Sequence, residues 1–229
     1  MALTEADWQA LHLSVSVALR SVLASLPVAL GLAWLLARRR FPGRTLFDAF
    51  VHLPLVLPPV LVGYLLLLLF GLNGAFGAFL LRVFGIRLVF TRNGAALATA
   101  VMTLPIMVRA MRISLEAVDR GLEDAARTLG AGPFDRFCTI TLPLMLPGVL
   151  AGVVTAFAAG LGEFGAVITF ASNIPGETQT LPLALYTALQ TPGGESAAAR
   201  LALMSFALGL AALAGAELLA RGMRRWLGR

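Results

Sequence analysis

Residues able to do chemistry are few in this chain of 229 residues, and their spacing excludes the common catalytic sites. All 18 basic residues are arginine. A Gly-x-x-x-x-Gly-Lys-Ser/Thr phosphate loop needs its lysine, so we expect the chain to bind no cofactor and to leave any ATP hydrolysis to another polypeptide. His12 and His52 are far apart, which favours packing roles over a metal site. Neither Gly-x-Ser-x-Gly nor His-Glu-x-x-His occurs, so no catalytic residues are predicted.

The longest charged stretch of the chain, residues 114–143, has the pattern of a short amphipathic helix followed by a turn. One face would carry apolar or small side chains at the spacing i, i+3, i+4 and i+7: Leu122, Ala125, Ala126 and Leu129. Gly130 follows at the position where a left-handed residue often ends a helix. After a turn, residues 134–140 can begin a second short helix. The small alanines would let another surface approach closely.

Two charged residues, Glu163 and Arg20, fall inside long apolar segments. A carboxylate at membrane depth costs about 2.5–3.5 kcal/mol on insertion scales, so Glu163 should face protein or water. Two roles stay open for it. It could line a path or gate together with Phe164, or it could be a structural carboxylate bonded to backbone or to an arginine. Arg20 could be that arginine, could attract an anion, or could extend its side chain to the membrane surface.

Small residues recur every four positions in the apolar segment that precedes Glu163: Gly148, Gly152, Ala156 and Gly160. Small side chains at this spacing let transmembrane helices approach closely. The stripe therefore predicts helix packing, either against a neighbour in the same chain or against a second copy.

The composition of the chain indicates the class of protein to which these residues belong. The chain is 59% hydrophobic and 13% charged, whereas soluble domains are about half apolar and about a quarter charged. A helix that crosses a bilayer needs about 20 mostly apolar residues. Five such segments predict an all-α integral membrane protein: residues 13–37, 47–70, 94–113, 144–170 and 198–220.

Prolines and turn-forming residues interrupt this pattern. The second segment contains Pro54, Pro58 and Pro59, which predict either a discontinuous helix or a static kink. We expect an outer loop with a short interfacial helix at residues 71–92. Residues 171–197 return to polar and turn-forming types between two apolar segments.

Arginine sets the expected orientation in the membrane. Thirteen arginines lie in segments 38–44, 109–136 and 221–229, and four lie on the opposite side. Because arginine excess marks the cytoplasmic face, the amino terminus should be outside, with the carboxyl terminus and the 114–143 loop inside. The arginines follow apolar segments and form no patch interleaved with aromatics. We therefore expect membrane lipid, and no nucleic acid, as a partner.

The charged loop resembles the EAA loop of ABC importer permeases, which is written Glu-Ala-Ala-x3-Gly-x9-Ile-x-Leu-Pro. Every spacing is met, with aspartate in place of the first glutamate: Asp124, Ala125, Ala126, Gly130, Ile140, Leu142 and Pro143. The resemblance implies that these residues, together with Glu123, couple the spans to an ATPase subunit. A coupling helix would sit in a cleft of that subunit and carry its closure into rotation of the spans.

The resemblance covers nearly the whole chain. Residues 52–66, 127–132 and 161–195 are similar to the molybdate permeases, and the last segment is more loosely similar to sulfate and thiosulfate permeases. The family implies a single type-I transmembrane domain at residues 10–220, in a bacterial inner membrane. It also implies a homodimer, two ATPase subunits that use ATP, and a periplasmic or lipid-tethered molybdate-binding protein.

Three alternatives stay open. A sulfate- or thiosulfate-type permease would keep the mechanism and change the oxyanion, and tungstate would accompany molybdate as a co-substrate. A secondary transporter without an ATPase would leave the EAA loop unexplained and would usually show internal repeats. An intramembrane enzyme would need paired catalytic groups or metal ligands, which the sequence does not supply.

Overall fold

The structure is a computed structural model that describes residues 3–226, with the side chains of residues 216 and 219–226 left aside. Its helices, in chain order, are α1 Glu5–Arg38, α2 Arg44–His52, α3 Pro59–Phe70, α4 Ala75–Phe84, α5 Arg92–Glu116, α6 Arg120–Thr128, α7 Pro133–Arg136, α8 Leu142–Leu161, α9 Gly165–Ala171, α10 Leu181–Gln190 and α11 Glu195–Trp226. A short 3-10 turn, Leu53–Leu55, follows α2, and a π-helical segment, Phe137–Thr141, joins α7 to α8. The expected all-α class is confirmed.

Four helical segments in the described part of the chain are long and apolar enough to cross a membrane: Glu5–Arg38, Arg92–Glu116, Pro133–Leu161 and Glu195–Gly215. A fifth crossing is obtained if α2 with its 3-10 turn and α3 are counted as one bent span. The expected number of about five spans is therefore confirmed, while the orientation of the termini stays a prediction. The four arginines of residues 221–229 that contributed to it lie outside the described side chains.

The second span is not one continuous helix over residues 47–70. The chain bends by 109° between Arg44–Leu55 and Pro59–Phe70. Pro58 and Pro59 explain the break, because proline donates no backbone hydrogen bond and disfavours helical geometry in the residue before it. Of the two expectations for the prolines, the discontinuous helix is the one observed.

The fourth span is also broken, which the sequence analysis did not foresee for residues 144–170. Helix α8 ends at Leu161, and α9 begins after the short link that contains Glu163 and Phe164. The polar, turn-forming residues 171–197 contain a helix that the sequence did not predict, α10, which has Pro182 in its first turn. The short helix expected at residues 71–92 is present as α4.

Helices α1, α5 and α8 form the centre of the bundle, and small residues set how closely they pack. The stripe of α8 lies against α5 of the same chain: a Cβ on Gly160 would be 2.9 Å from Thr99 Cγ2, and a Cβ on Gly152 would be 3.2 Å from Ala110 Cβ and 3.3 Å from Met107 Cα. Gly148 faces Ser114, and Ala156 is fully buried. Of the two packing partners left open for this stripe, the structure places it against its own chain.

The two half-helices α3 and α9 pack against each other where both begin. A Cβ on Gly63 would lie 2.7 Å from the Ala166 carbonyl oxygen, and a Cβ on Gly165 would lie 2.7 Å from Pro59 Cβ. In each of these two spans a break leaves shorter helices in place of one long helix. Glycine at the contact lets the backbones of α3 and α9 approach. Both breaks of the membrane-spanning helices therefore lie side by side.

Candidate coupling site

Helix α6 is the amphipathic helix expected from the sequence, and its apolar face has no partner in the described part of the chain. Leu122 is 49% exposed and Leu129 is 88% exposed. Ala125 is also exposed, and Ala126 is half-buried. A helix with an outward apolar face gains its stability from packing against another surface. This face therefore has the properties of a docking site for a separate subunit.

The ends of α6 are fixed by local chemistry. The Asp119 carboxylate accepts a hydrogen bond from the Gly121 backbone N–H at 2.8 Å and caps the first turn. Gly130 has φ +90°, so the left-handed residue expected after the helix is present. The Ala131 N–H then donates to the Ala126 carbonyl at 3.0 Å, which closes the turn. The loop is a defined helix-turn element.

Glu123 anchors α6 to the membrane-spanning helices. Its Oε1 accepts a 2.9 Å hydrogen bond from Arg38 Nη2 at the end of α1 and a 2.6 Å bond from the Thr141 hydroxyl next to α8. The Arg38 and Glu123 side chains are only 11% and 22% exposed, so this ion pair is mostly buried. One carboxylate therefore connects α6 to two spans.

The other residues of the expected coupling set are placed differently. Asp124 is exposed, and its one ion pair among the described residues is with Arg127 on its own helix, at 3.6 Å. Ile140 lies in the π-helical segment, and Leu142 and Pro143 form the first turn of α8. These three are half-buried and continue from α7 into the fourth span without a break. The second half of the motif thus attaches the loop to α8.

A network of charged residues beside the loop was not identified from the sequence. Arg112 on α5 donates to Asp48 at 2.7 Å and to Glu116 at 2.9 Å. His52 Nδ1 lies 3.1 Å from Asp48 Oδ1, one helical turn away on α2. The spacing of four between Arg112 and Glu116, and between Asp48 and His52, is the signal that could have found both pairs. Within the described residues, no three His, Cys, Asp or Glu side chains come together as metal ligands.

Glu163 and Arg20, the two charged residues in the apolar segments, do not meet. Glu163 Oε1 accepts a 3.0 Å hydrogen bond from the Ala166 N–H and so caps the first turn of α9. Arg20 instead donates to Asn93 Oδ1 at 3.0 Å. Phe164 packs its ring against Tyr186 of α10, with centroids 5.1 Å apart. Of the structural roles considered for Glu163, bonding to backbone is observed, and pairing with an arginine is not found among the described side chains.

Comparison with known proteins gives relatives of full length. Residues 26–225 match the family described as binding-protein-dependent transport system inner membrane component. The molybdenum transport system permease protein ModB of Escherichia coli (strain K12) is 58% identical over 229 residues, the whole of both chains. The sulfate transport system permease protein CysT of the same strain is 43% identical over 159 residues, which cover 69% of this chain and 57% of CysT.

The fold has counterparts among solved structures. A chain of a bacterial ABC transporter involved in the import of the acidic polysaccharide alginate superposes with a TM-score of 0.73 at 17% sequence identity. The match covers 99% of this chain and 82% of that chain. At this identity it shows the fold alone, which is that of an ABC importer permease. With the family match over most of its length, the chain belongs to the binding-protein-dependent transport system inner membrane components, a family of multi-pass transport subunits without an ATPase of their own.

Proposed function

We propose that this chain is the permease of an ATP-driven molybdate importer. The observation that carries the substrate is the 58% identity to ModB across the whole of both chains. Because this identity extends over all the spans and the loop, we infer that the translocation pathway is the same in both proteins. The sulfate permease CysT matches over a shorter region at lower identity, so a sulfate-type oxyanion is the second candidate.

The coupling step of this proposal rests on α6. Its outward apolar face, the exposed leucines at either end and the small alanines between them suit insertion into a cleft of an ATPase subunit. The Glu123 bonds to Arg38 and Thr141 would then carry the movement of α6 into α1 and α8. Asp124, Ala125, Ala126 and Gly130 form the docking element, and Ile140, Leu142 and Pro143 attach it to the span.

For the assembly of the importer we propose the arrangement that the family implies. Two copies of this chain would form the pathway, each bound to one ATPase subunit on the cytoplasmic side. A periplasmic or lipid-tethered binding protein would deliver the oxyanion to the opposite face. The amino terminus is then outside and the 114–143 loop inside. Glu163 and Phe164, at the break between α8 and α9, are our candidates for the path or its gate.

The test is ATP-dependent uptake of labelled molybdate by vesicles that contain this chain, its ATPase subunit and its binding protein. Uptake that excess tungstate blocks and excess sulfate does not would support both the mechanism and the substrate. Sulfate uptake would replace the substrate and keep the mechanism. The matched control is an ATPase subunit without its Walker lysine, and flux that persists with this control would overturn the coupling proposal.

A further inference from the structure

An arginine-lined cavity lies at the end of the bundle that carries α6. Its volume is about 490 Å³, and we call it the arginine cavity; its lining residues are Ala37, Arg38, Arg39, Arg40, Arg44, Glu116 and Arg120. These residues come from the end of α1, the start of α2, the end of α5 and the first position of α6. The arginine cavity thus joins two spans to the candidate coupling helix.

The arginine cavity carries an excess of positive charge that the protein itself does not neutralise. Arg38 is paired with Glu123, and the single acid of the lining, Glu116, is shared between Arg44 at 3.9 Å and Arg112 at 2.9 Å. Arg39 lies over the Trp34 ring, 5.2 Å from its centroid. Arg40 and Arg120 make no ion pair within the described residues. Arg40 and Arg120 therefore have no counterion within the described chain, and Arg39 has only its contact with Trp34.

The N-terminus of α2 adds to this potential, whereas the N-terminus of α6 is already capped by the Asp119 carboxylate. Helices α2 and α6 begin with Arg44 and Arg120, both of which line the arginine cavity. The first turn of a helix favours anions, and a cation there is unfavourable unless an anion lies beside it. The N-terminus of α2 follows Gly43 and has no side-chain cap; the Arg44 N–H donates to the Phe41 carbonyl at 3.3 Å, and the N–H groups that follow have no side-chain acceptor. An anionic oxygen in the cavity would supply that acceptor and offset the arginines.

Exposed apolar side chains of α1 and α2 follow or precede the arginines of the cavity in the sequence, at the end of a membrane-spanning helix. On α2, Leu46 is 77% exposed and Phe50 is 71% exposed. Trp34 on α1 is also exposed beside Arg39, as tryptophan often is at the edge of a membrane. A free inorganic anion would gain no favourable contact with these apolar side chains, whereas the acyl chains of a phospholipid would pack along them.

We propose that the arginine cavity is a binding site for the headgroup phosphate of an anionic glycerophospholipid. The phosphate lies among Arg39, Arg40 and Arg120, and the acyl chains pass along the outward side of α2. Because Arg120 is the first residue of α6, the bound lipid holds this helix at a fixed height against the membrane. This last consequence rests on the proposed function, whereas the binding itself does not.

The test measures lipid binding to the purified chain in complex with its ATPase subunit, by native mass spectrometry. The probes are phosphatidylglycerol, which is anionic, and phosphatidylethanolamine with the same acyl chains. We expect preferential retention of phosphatidylglycerol, and a preference about five-fold lower in Arg40→Gln and in Arg120→Gln, since one basic side chain at a membrane surface contributes about that factor. Arg82→Gln, which removes an exposed arginine of α4 outside the arginine cavity, is the matched control and should leave the preference unchanged.

Charge-retaining variants keep the test decisive if a glutamine variant fails to fold. Arg40→Lys and Arg120→Lys should retain most of the preference. Equal retention of the two lipids by the unaltered complex, or an undiminished preference in both glutamine variants, would overturn the proposal. Displacement of phosphatidylglycerol by millimolar inorganic phosphate would assign the site to a free anion instead, and occlusion of the arginine cavity by the ATPase subunit would also overturn it.

The lipid site and the transport function fail separately. Loss of lipid preference with intact molybdate uptake would remove the site and leave the importer. Arginine-dependent lipid binding by a complex that takes up no oxyanion would leave the site and remove the proposed function.

Discussion

Replacement of Glu123 by glutamine is expected to release α6 from the spans and to uncouple ATP hydrolysis from uptake. Glutamine keeps the length of the side chain and an acceptor for the Thr141 hydroxyl, but it removes the charge that faces Arg38. Arg38 is 11% exposed and lies among other arginines, so it would be left mostly buried without its counterion. The change therefore isolates one ion pair.

The expected magnitude follows from the burial of this pair. Removal of one partner from a fully buried ion pair costs about 3–5 kcal/mol, and an exposed pair contributes about 0–1 kcal/mol. With most of both side chains buried and one hydrogen bond retained, we expect about 2 kcal/mol. That free energy raises the population of the released loop by a factor of about 30.

The assay is amide hydrogen exchange of α6 in the complete transporter, combined with ATP-dependent uptake. Exchange at the α6 amides should rise in Glu123→Gln while exchange in α1 and α5 stays the same, and uptake should fall more than ATPase activity. Asp124→Asn is the matched control, since its exposed contact with Arg127 at 3.6 Å contributes no more than about 0.5 kcal/mol. An α6 that is loosened equally by both variants, or by Asp124→Asn alone, would refute the anchoring role of Glu123.

Three further predictions concern the turn after α6, the packing of α8 and the contact between α1 and α11. Gly130→Ala should destabilise the loop by about 1–2 kcal/mol because Gly130 has φ +90°. Gly132→Ala is the control and should not destabilise it, since Gly132 has φ −67° and open space around it. Uptake by variants that insert and fold should differ between the two, and equal uptake would contradict the turn assignment. Gly148→Ala should lower the stability of the detergent-purified chain in thermal unfolding by about 1–3 kcal/mol, because the added methyl group would overlap Ser114. Gly31→Ala lies on open helix surface and should be neutral or stabilising. A tolerated Gly148→Ala would argue against the observed packing of α8 on α5. Asp7→Asn should lower the free energy of unfolding by about 3 kcal/mol, because it leaves the mostly buried Arg200, 3.2 Å away, without its partner. Limited proteolysis should then cut near α11 earlier than it does in the control Glu5→Gln. Unchanged proteolysis would show that this pair does not hold α11.

The continuous spans were predictable because a single strong signal defines them. Helices α1, α5 and α11 contain the predicted segments 13–37, 94–113 and 198–220 and extend past them by a few residues, mostly polar ones. The apolar run fixes the helix, and the arginines after α1 fix one end of it. The amphipathic pattern and the left-handed glycine likewise predicted α6 and its end.

The anchor of α6 was not predictable, although its residues were in view. Glu123 and Asp124 are neighbours, and neighbours on a helix point about 100° apart. Only one of them can face the spans, and the motif grouped both in the coupling set without saying which one does. The partner of Glu123 is Arg38, 85 residues earlier, and no local pattern connects the two. Arg38 was interpreted from the sequence as a topology signal alone, and the fold gives it a second role.

Helix α10 shows how length limits such inferences. It has ten residues, too few to cross a membrane, and it lies between segments rich in proline and glycine. Its flanking turns dominated the sequence pattern of residues 171–197. Its buried side chains, Leu181 and Leu183, are held by α1, α11 and the core around Phe170, so contacts distant in sequence stabilise this helix.

The breaks at residues 56–58 and 162–164 bear on how an anion would pass this chain. They adjoin in the fold because α3 and α9 start against each other, at Pro59 and Gly165. The first turn of a half-helix in a membrane often attracts anions, but the first N–H groups of α9 already face the Glu163 carboxylate at 3.0 Å from Ala166 N. A carboxylate at that place repels an oxyanion, so we expect this level of the protein to hold the substrate weakly. Weak binding at the break is then consistent with selection of the oxyanion by the separate binding protein, because the permease only has to release the oxyanion that it receives.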